Sequence, residues 1–362
     1  MRQTKPETEK QIMNLITARN VDEVLPVALD RMFKFGVERE SRNGKVLQLR
    51  GPSIVCYERP TERVLFWRER DANPFFHLME SLWMLAGRND VGFVANYAKR
   101  MFEYSDDGKT LNGAYGHRWI KHFGYNQLEW IADELKANPL SRRCVLQMWD
   151  AGAHDGEGEA VTGTGDLYLA THGSLDVPCN TQAYFAINDS GRLDLTVCNR
   201  SNDLVWGCLG ANAVHFSILL EYMAIKIGVP VGFYYQMTNN LHGYLSTIEP
   251  LRCIAGQYLA SPYELNEVQP FPLIPDVGQI EEFEGDLPHL GDRSCYASFF
   301  FCGVVAQMEA AFELYKEKAL DSALEACGGI MAKDWRLACQ NWIQRRINKR
   351  LKAADDGVNY EK

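Results

Sequence analysis

The sequence predicts an α+β protein with a helical C-terminal extension, and three stretches support that class. Residues 181–187 and 193–197 flank an NDSG turn sequence, a pattern typical of a β-hairpin. Residues 213–227 are almost wholly apolar and end before Gly228, which predicts a buried helix. Residues 298–351 have a helical pattern and end in a basic and then polar tail.

The other elements are predicted from periodicity and from residues that begin or end helices. The stretch 74–87 opens with Pro74 and closes with Gly87, and its apolar residues surround Glu80, so we expect a buried helix. The remaining predictions, in chain order, are a helix over 5–35, a surface helix over 127–137, an apolar strand over 144–149, a long loop over 151–176 and an irregular Pro-rich stretch over 260–292.

Composition argues against several classes of protein. Of the 362 residues, 46% are hydrophobic and 23% are charged, which is typical of a globular protein with a substantial core. The chain has no run of about 18 apolar residues, so no membrane span is predicted. The polar N-terminus predicts no signal peptide, and we expect a cytoplasmic protein. The net charge of −9 argues against nucleic-acid binding by bulk attraction. The ten cysteines form no CxxC pair or zinc-ligand spacing, so no metal site is expected.

The predicted hairpin brings one cysteine close to one arginine. If residue 188 faces residue 192 across the turn, then 180 faces 200 and 179 faces 201. Even if the register slips by a residue or two, Cys179 and Arg200 therefore lie on neighbouring strands at the same end of the ladder. A nearby cation stabilises the thiolate, which is the reactive form of cysteine. Cys179 is the candidate nucleophile, although a lone cysteine after proline is more often a buried structural residue.

Other polar residues have an ordinary structural interpretation beside a functional one. Glu80 on a buried helix would form a core ion pair or take part in proton transfer, since unpaired carboxylates are rarely buried. Arg142 and Arg143 precede a predicted strand. Such a pair is usually solvated, but guanidinium groups are also good ligands of a phosphate dianion.

Five segments in order along roughly residues 70–250 favour the functional interpretations, namely HLMESLWMLAGRND, LNGAYGHRW, SRRCVLQMWD, DVPCNTQ with CNRSNDLVWG, and VGFYYQMTNNLHGY. Together they resemble the thymidylate synthase superfamily, which includes thymidylate synthases and phage-type deoxypyrimidylate hydroxymethylases. The resemblance implies a large mixed β-sheet flanked by helices. The sequence pattern shows no convincing linker before residue 260, so we expect a catalytic domain over residues 1–260, on which a Pro-rich segment and helical C-terminal extension over residues 261–362 pack.

The same resemblance implies folate-dependent one-carbon transfer to C5 of a pyrimidine nucleoside monophosphate. A Cys179 thiolate with a depressed pKa adds to C6, and 5,10-methylenetetrahydrofolate is the co-substrate that supplies the carbon. Arg200 and Ser201 of one subunit bind the 5′-phosphate together with Arg142 and Arg143 of the other. The expected assembly is therefore a homodimer with a shared phosphate site.

The remaining site residues are also carried over by resemblance. Glu80 matches the glutamate that orders water and moves protons, and Tyr115 matches the tyrosine that assists removal of the C5 proton. The other expected ligands are Arg42 for the phosphate, His242 and Tyr244 for the sugar 3′-hydroxyl, and Asp203, Gly207 and Trp83 for the folate.

Three departures from the family pattern concern the base and the product. Asn180 stands where synthases have a histidine after the nucleophile. The segment WGCLGAN is about one residue longer than the synthase pattern LGxPFN, so either Ala211 or Asn212 takes the place of the asparagine that reads uracil. The helical extension is followed by DDGVNYEK, where synthases have a short apolar tail that excludes water from the folate.

A site that admits water favours a hydroxymethyl product. Water adds to the exocyclic methylene that forms at C5, whereas hydride transfer from the folate would give a methyl group. We therefore expect a hydroxymethylase, with a true thymidylate synthase that makes dTMP from dUMP as the alternative. Asn212 favours dUMP, while dCMP and a ribonucleotide remain open as substrates.

Two other classes of protein are alternatives. A hydrolase built on Cys179 and His242 would need the imidazole within hydrogen-bond distance of sulfur, and it would leave the arginines and Glu80 without a shared purpose. A non-catalytic module with the family fold would be expected to lack the nucleophile or the phosphate arginines, and the sequence contains all of them.

Overall fold

The protein was analysed as a computed structural model that describes residues 13–152 and 163–355. Ten strands are numbered in chain order: β1 (Asn14–Ala18), β2 (Val37–Ser41), β3 (Gly44–Gln48), β4 (Ser53–Tyr57), β5 (Val145–Gln147), β6 (Asn180–Ile187), β7 (Leu193–Asn199), β8 (Asn202–Asp203), β9 (Val231–Thr238) and β10 (Leu241–Tyr244). Six of them form a mixed sheet in the order β1-β4-β9-β7-β6-β5. The large mixed sheet that the sequence predicts is confirmed.

The other four strands form a second sheet in the order β2-β3-β10-β8. The pairs β2–β3 and β3–β10 are antiparallel, and β8 runs parallel to β10. The sequence patterns do not predict this sheet, because β8 and β10 have only two and four residues. It positions the two segments that carry Asp203 and His242.

Helices cover the sheets, and short 3-10 and π segments join many of them. The α-helices are α1 (Val21–Phe35), α2 (Pro74–Leu85), α3 (Val91–Tyr97), α4 (Tyr115–His117), α5 (Gln127–Ala137), α6 (Asp166–Thr171), α7 (Asn212–Ile227), α8 (Leu245–Ile248), α9 (Ile280–Asp286), α10 (Ala306–Lys316), α11 (Leu320–Ala326) and α12 (Lys333–Asp355). The 3-10 segments are Lys99–Tyr104, Glu249–Ile254, Val277–Gln279, Leu287–His289, Arg293–Cys295 and Cys327–Gly329, and the π segments are Arg118–His122, Leu204–Ala211 and Phe301–Val305.

Helices α2 and α7 form the centre of the core, as their apolar sequences predict. Asn73 caps α2 by accepting a hydrogen bond from the N–H of Phe76 at 3.2 Å, and Pro74 follows it. Gly228 ends α7 with a left-handed φ of 87°. The helical stretch Leu204–Ile227 is long and apolar enough to cross a membrane, but 94% of its most apolar window is buried inside the structure, as in a core helix.

Two predicted boundaries near the first helix and the long loop are wrong. Residues 14–18 of the predicted 5–35 helix form β1, in which burial alternates along the strand, and α1 begins only after Asn20. Residues 5–12 lie outside the described part of the chain. Within the predicted loop over 151–176, residues 166–171 form α6, and residues 153–162 are not described.

The C-terminal extension packs its aromatic rings against α2 and forms ion pairs with the residue three positions before that helix. The rings of Trp342 and Phe312 lie 5.6 and 5.2 Å from that of Phe75, measured between centroids. Arg345 Nε lies 2.7 Å from Oδ1 of Asp71, which also receives a guanidinium hydrogen bond from the following arginine. The same hydrophobic core therefore includes residues from both sides of residue 260. The DDGVNYEK tail beyond its first residue lies outside the described chain.

Candidate active site

A β-bulge at the start of β6 sets the position of Cys179. Strands β6 and β7 keep the predicted register as far as Gln182, but Asn180 then faces Asn199 instead of residue 200. One extra residue on β6 causes this shift. The N–H of Arg200 consequently donates to the carbonyl of Cys179 at 2.9 Å. The predicted proximity of this cysteine and arginine is confirmed, and the facing partners differ from the simplest register by one residue, within the slip that the hairpin allows.

Arg200 fixes the segment that leads to the nucleophile. Its Nε donates to the carbonyl of Pro178 at 2.8 Å and its Nη2 to that of Val177 at 3.0 Å, and Nη2 lies 3.8 Å from the Cys179 sulfur. Burial raises the pKa of the Cys179 thiol above its ordinary value, and the positive charge of Arg200 offsets this only in part. Our prediction of a depressed thiol pKa is therefore wrong for the isolated subunit, because desolvation raises the pKa more than the charge of Arg200 lowers it.

Tyr115 and Asp176 link this segment to the stretch around residues 113–115. The Tyr115 hydroxyl accepts the N–H groups of Cys179 and Asn180 at 3.2 and 3.3 Å, and burial raises the pKa of this phenol, so it keeps its proton. Asp176 accepts the N–H of Gly113 at 2.7 Å, and burial raises the pKa of its carboxyl to about 6. We did not single out Asp176 from the sequence, although it stands three residues before the nucleophile in the DVPC segment.

Glu80 faces a histidine that the sequence analysis missed. Its Oε2 lies 3.0 Å from Nε2 of His215, although the two atoms are not aligned for a hydrogen bond. A signal was present, since His215 follows Asn212 by three residues and so shares its face of α7. His77, one turn before Glu80 on α2, is also buried, and burial lowers its pKa well below the ordinary value. His77 is therefore neutral.

A π-helix determines which of the two alternatives, Ala211 or Asn212, reaches the site. The segment Leu204–Ala211 is π-helical, a form that accommodates one extra residue. Asn212 then begins α7, and its Oδ1 accepts a hydrogen bond from Nδ2 of Asn180 at 3.3 Å. Of the two alternatives, Asn212 is the one whose amide lies beside the residue that follows the nucleophile. Ala211 has no polar group to offer a base.

The second sheet brings the predicted folate and sugar ligands side by side. His242 on β10 faces Asp203 on β8, and the rings of His242 and Tyr244 are perpendicular with centroids 5.4 Å apart. Asp203 Oδ1 accepts the N–H of Val205 at 3.0 Å. Burial raises the pKa of Asp203, and the Val205 N–H offsets part of that rise. A half-buried carboxyl at this place suits the N–H donors of a pterin ring.

Three further residues that were predicted for the site lie in different surroundings. Ser201 is half-buried and follows Arg200 directly. Gly207 lies in the π-helix where a Cβ would collide with the Asn202 side chain, so a larger residue there would displace the Asn202 amide. Our prediction that Trp83 binds the folate is wrong, because this residue is only 2% exposed and its Nε1 donates to Asp90. It is a core residue.

The structure does not bring the remaining arginines to Cys179 within one subunit. Arg142 and Arg143 are exposed just before β5, where Val145 faces Tyr184 on β6. Tyr184 is five residues from the nucleophile, which corresponds to roughly 17 Å along a strand. Arg42 is exposed in the turn between β2 and β3. Within the described residues, no cluster of three or more histidine, cysteine or acidic side chains is arranged to hold a metal ion.

A concave region adjoins Arg200 on the side of the large sheet. Its volume is about 280 Å³, and its lining residues are Gln147, Trp149, Thr181, Gln182 and Arg200. The Arg200 guanidinium carbon lies 5.9 Å from the centroid of the Trp149 ring. This exposed cation at a concave surface is a suitable position for one end of an anionic ligand.

Comparisons with known proteins found a matching family model and several named relatives. The family model for thymidylate synthase matches residues 30–269. A protein of Pseudomonas phage M6 named deoxyuridylate hydroxymethyltransferase is 45% identical over 96% of this chain and all of its own length. A protein of the same name from Bacillus phage SP01 is 38% identical over 60% of this chain and 55% of its own. A thymidylate synthase of Symbiobacterium thermophilum is 30% identical over 57% of this chain and 70% of its own.

Proposed function

The chain belongs to the thymidylate synthase family, and from that premise we propose that it hydroxymethylates C5 of dUMP, with 5,10-methylenetetrahydrofolate as the carbon donor. The observation that carries the proposal is the Cys179 sulfur 3.8 Å from the Arg200 guanidinium. The names of the two phage relatives support the choice of base and product. If the chain is phage-encoded, it acts in the host cytoplasm.

In the proposed reaction, the Cys179 thiolate adds to C6 of uracil and the electron pair moves to C5, which bonds to the one-carbon unit. The folate supplies that carbon and is held through Asp203. Tyr115, which contacts the backbone of the nucleophile, assists removal of the C5 proton. Glu80 orders water and transfers protons near the base, and Asn212 pairs with N3–H and O4 of uracil.

Loss of the C5 proton and departure of tetrahydrofolate, with cleavage of its bond to the one-carbon unit, leave an exocyclic methylene at C5, and the product depends on what attacks this group. Addition of water forms the hydroxymethyl group, and expulsion of the Cys179 thiolate from C6 then restores the ring double bond. The relative from Pseudomonas phage M6 matches 96% of this chain, including the helical extension, whereas the bacterial thymidylate synthase matches 57%. This difference in coverage supports hydroxymethylation over reductive methylation.

We expect the protein to convert dUMP and 5,10-methylenetetrahydrofolate into 5-hydroxymethyl-dUMP and tetrahydrofolate. Mass spectrometry of the nucleotide, with dUMP and dCMP offered separately, identifies base and product in one experiment. Formation of dihydrofolate, seen as an absorbance rise during turnover, with dTMP as the product, would overturn hydroxymethylation and support the synthase alternative. The Cys179→Ser variant is the control for uncatalysed reaction of the folate.

We further propose that the enzyme is a homodimer that meets through the outer face of the six-stranded sheet. Rows of side chains on this face point away from the core, and several large apolar members are exposed, such as Leu15 at 58%, Val145 at 43%, Met237 at 42% and Tyr184 at 37%. Several large exposed apolar side chains on one face are typical of a protein interface. The cavity beside Arg200 lies on the same side.

The positions of the exposed arginines support a shared phosphate site. Arg142 and Arg143 lie beyond Val145, so they are too far along the sheet to meet the Cys179 segment of their own subunit. Neither has a recorded ion pair within the described residues. A twofold arrangement of two sheets face to face would turn this end of one subunit toward Arg200 of the other, which supplies the missing phosphate ligands.

We expect Arg142→Glu to raise KM for dUMP at least about tenfold, because a charge-assisted hydrogen bond contributes about 1.5–3 kcal/mol. Lys136→Glu, at an exposed position on α5, makes the same charge change and should leave KM unchanged. Co-expression of Arg142→Glu with Cys179→Ser tests the sharing. A mixed dimer then has one site with an intact cysteine and an intact partner arginine, so activity should return. Absence of recovery in purified mixed dimers would place the arginine in its own subunit's site.

A further inference from the structure

Four buried asparagines form a closed ring of side-chain hydrogen bonds beside the nucleophile. Asn212 Nδ2 donates to Asn202 Oδ1 at 3.2 Å, and Asn202 Nδ2 donates to Asn199 Oδ1 at 3.4 Å. Asn199 Nδ2 donates to Asn180 Oδ1, and Asn180 Nδ2 donates back to Asn212 Oδ1 at 3.3 Å. Their exposed fractions are between 0% and 6%. Every amide in this ring, called here the asparagine ring, donates to one neighbour and accepts from the other.

A ring of amides has two possible directions. If all four amides rotate by half a turn, each donor becomes an acceptor, and the four bonds form again with the opposite sense. The neighbouring Thr238 hydroxyl, 3.2 Å from Asn199 Oδ1, does not select a direction, since a hydroxyl both donates and accepts. The direction must therefore come from a group outside the ring whose polarity is fixed.

Gln236 is that group. Its Nε2 donates to the backbone carbonyl of Cys208 at 2.8 Å, and a carbonyl oxygen accepts only. The Gln236 oxygen is consequently turned toward the asparagine ring, where it accepts from Asn202 Nδ2 at 3.1 Å. Reversal of the ring would place two amide oxygens against each other in a site with 0% exposure of Gln236, and buried unpaired polar groups are costly.

The direction of the ring fixes which end of Asn212 presents oxygen and which presents nitrogen. Asn212 has a longer contact from Nδ2 to Asn180 Oδ1 at 3.5 Å, which a stronger partner in the site can replace. Uracil offers a donor at N3 and an acceptor at O4, whereas cytosine offers an acceptor at N3 and a donor at N4. An amide that rotates freely suits either base, but an amide held in one orientation matches only one of them.

We propose that Gln236, acting through Asn202, is a specificity-positioning residue that holds the Asn212 amide in the orientation suited to uracil and so excludes cytosine. This inference rests on the proposed function for the identity of the preferred base. Gln236 does not touch the nucleotide itself. It sets the polarity of a chain of three amides that ends at the base.

Gln236→Leu removes the fixed polarity while keeping a buried side chain of similar size. The ratio of kcat/KM for dUMP to that for dCMP should fall at least about tenfold. The Asn212 amide can then rotate, so its oxygen no longer has to face the N3 acceptor of cytosine, nor its nitrogen the N4 donor. The value for dCMP should rise in absolute terms. Tyr57→Phe is the matched control, since it removes a hydroxyl 3.0 Å from Gln236 Nε2 but leaves the bond to the Cys208 carbonyl, and its ratio should stay within about twofold of wild type.

A second variant tests the same proposal if Gln236→Leu does not fold. In Asn202→Ser the shorter hydroxyl side chain transmits no polarity, so the same fall in the ratio is expected. The Kd values of dUMP and dCMP, measured by calorimetry without folate, give a second ratio that does not require turnover. A wild-type protein that binds but makes no hydroxymethyl product would therefore refute the proposed function separately. A dUMP-to-dCMP binding ratio that is unchanged in the folded variants, with or without a loss of total activity, would overturn the role of Gln236.

Discussion

Replacing Cys179 by serine is expected to lower kcat by at least about a thousandfold, the order of loss typical when a covalent nucleophile is removed. A serine hydroxyl is far less acidic than a thiol and is a poor nucleophile toward C6 without a dedicated base. The replacement changes one atom in a half-buried side chain, so the fold should persist. Steady-state kinetics with dUMP measures the loss, and a thermal melt checks the fold.

The matched control for this variant is Cys198→Ser. Cys198 is also half-buried and lies on β7, where it pairs with Gln182 close to the same bulge, but its side chain does not contact Arg200 in the described structure. Its replacement should leave kcat within about twofold of wild type. Normal turnover by Cys179→Ser, or an equal loss in both variants, would refute the assignment of the nucleophile.

The Arg200→Met variant should shift the rising limb of the pH profile of kcat/KM to higher pH. Burial already raises the pKa of the Cys179 thiol, and Arg200 is the cation that opposes the rise. Without its charge the pKa of the thiol increases further, so a smaller fraction is thiolate at any pH below that value. Activity lost at neutral pH should partly return at alkaline pH. KM for dUMP should rise as well, since a predicted phosphate ligand is gone.

Arg200→Lys separates the charge from the hydrogen bonds. Lysine keeps the positive charge but cannot reproduce the guanidinium contacts to both Val177 and Pro178. Its pH limb should therefore lie close to that of wild type, even if the segment loosens and kcat falls. If the rising limb of the pH profile of Arg200→Met lay at the wild-type pH, the charge of Arg200 would not control the pKa of the thiol.

The sequence predicts the elements that carry the site better than it predicts their fine geometry. The apolar periodicity of α2 and α7 and the turn between β6 and β7 are local signals, and the corresponding elements form where expected. The predicted helix over residues 5–35 includes residues 14–18, yet burial in β1 alternates along these residues. The capping pair of Asn20 and Glu23 was the available signal for a later helix start.

Features that depend on tertiary context could not be predicted from sequence. The bulge beside Asn180 and the π-helix before Asn212 each move a side chain by one residue, and neither changes the periodicity of the chain. The pKa of Cys179 depends on burial by distant segments, so a neighbouring arginine alone suggested the wrong direction. The asparagine ring joins four successive elements, β6, β7, β8 and α7, and its bonds depend on how these elements pack together. The division of the chain at residue 260 remains a prediction.

Trapping the covalent intermediate tests the central claim most directly. With 5-fluoro-dUMP and 5,10-methylenetetrahydrofolate, the C5 fluorine cannot leave as a proton does, so the adduct to the thiol should persist. Mass spectrometry of the intact protein and of its peptides should find nucleotide and folate together on the peptide that contains Cys179. The adduct should form in Cys198→Ser and be absent from Cys179→Ser. An adduct at any other residue, or none in a wild-type protein that binds both ligands, would contradict covalent catalysis by this cysteine.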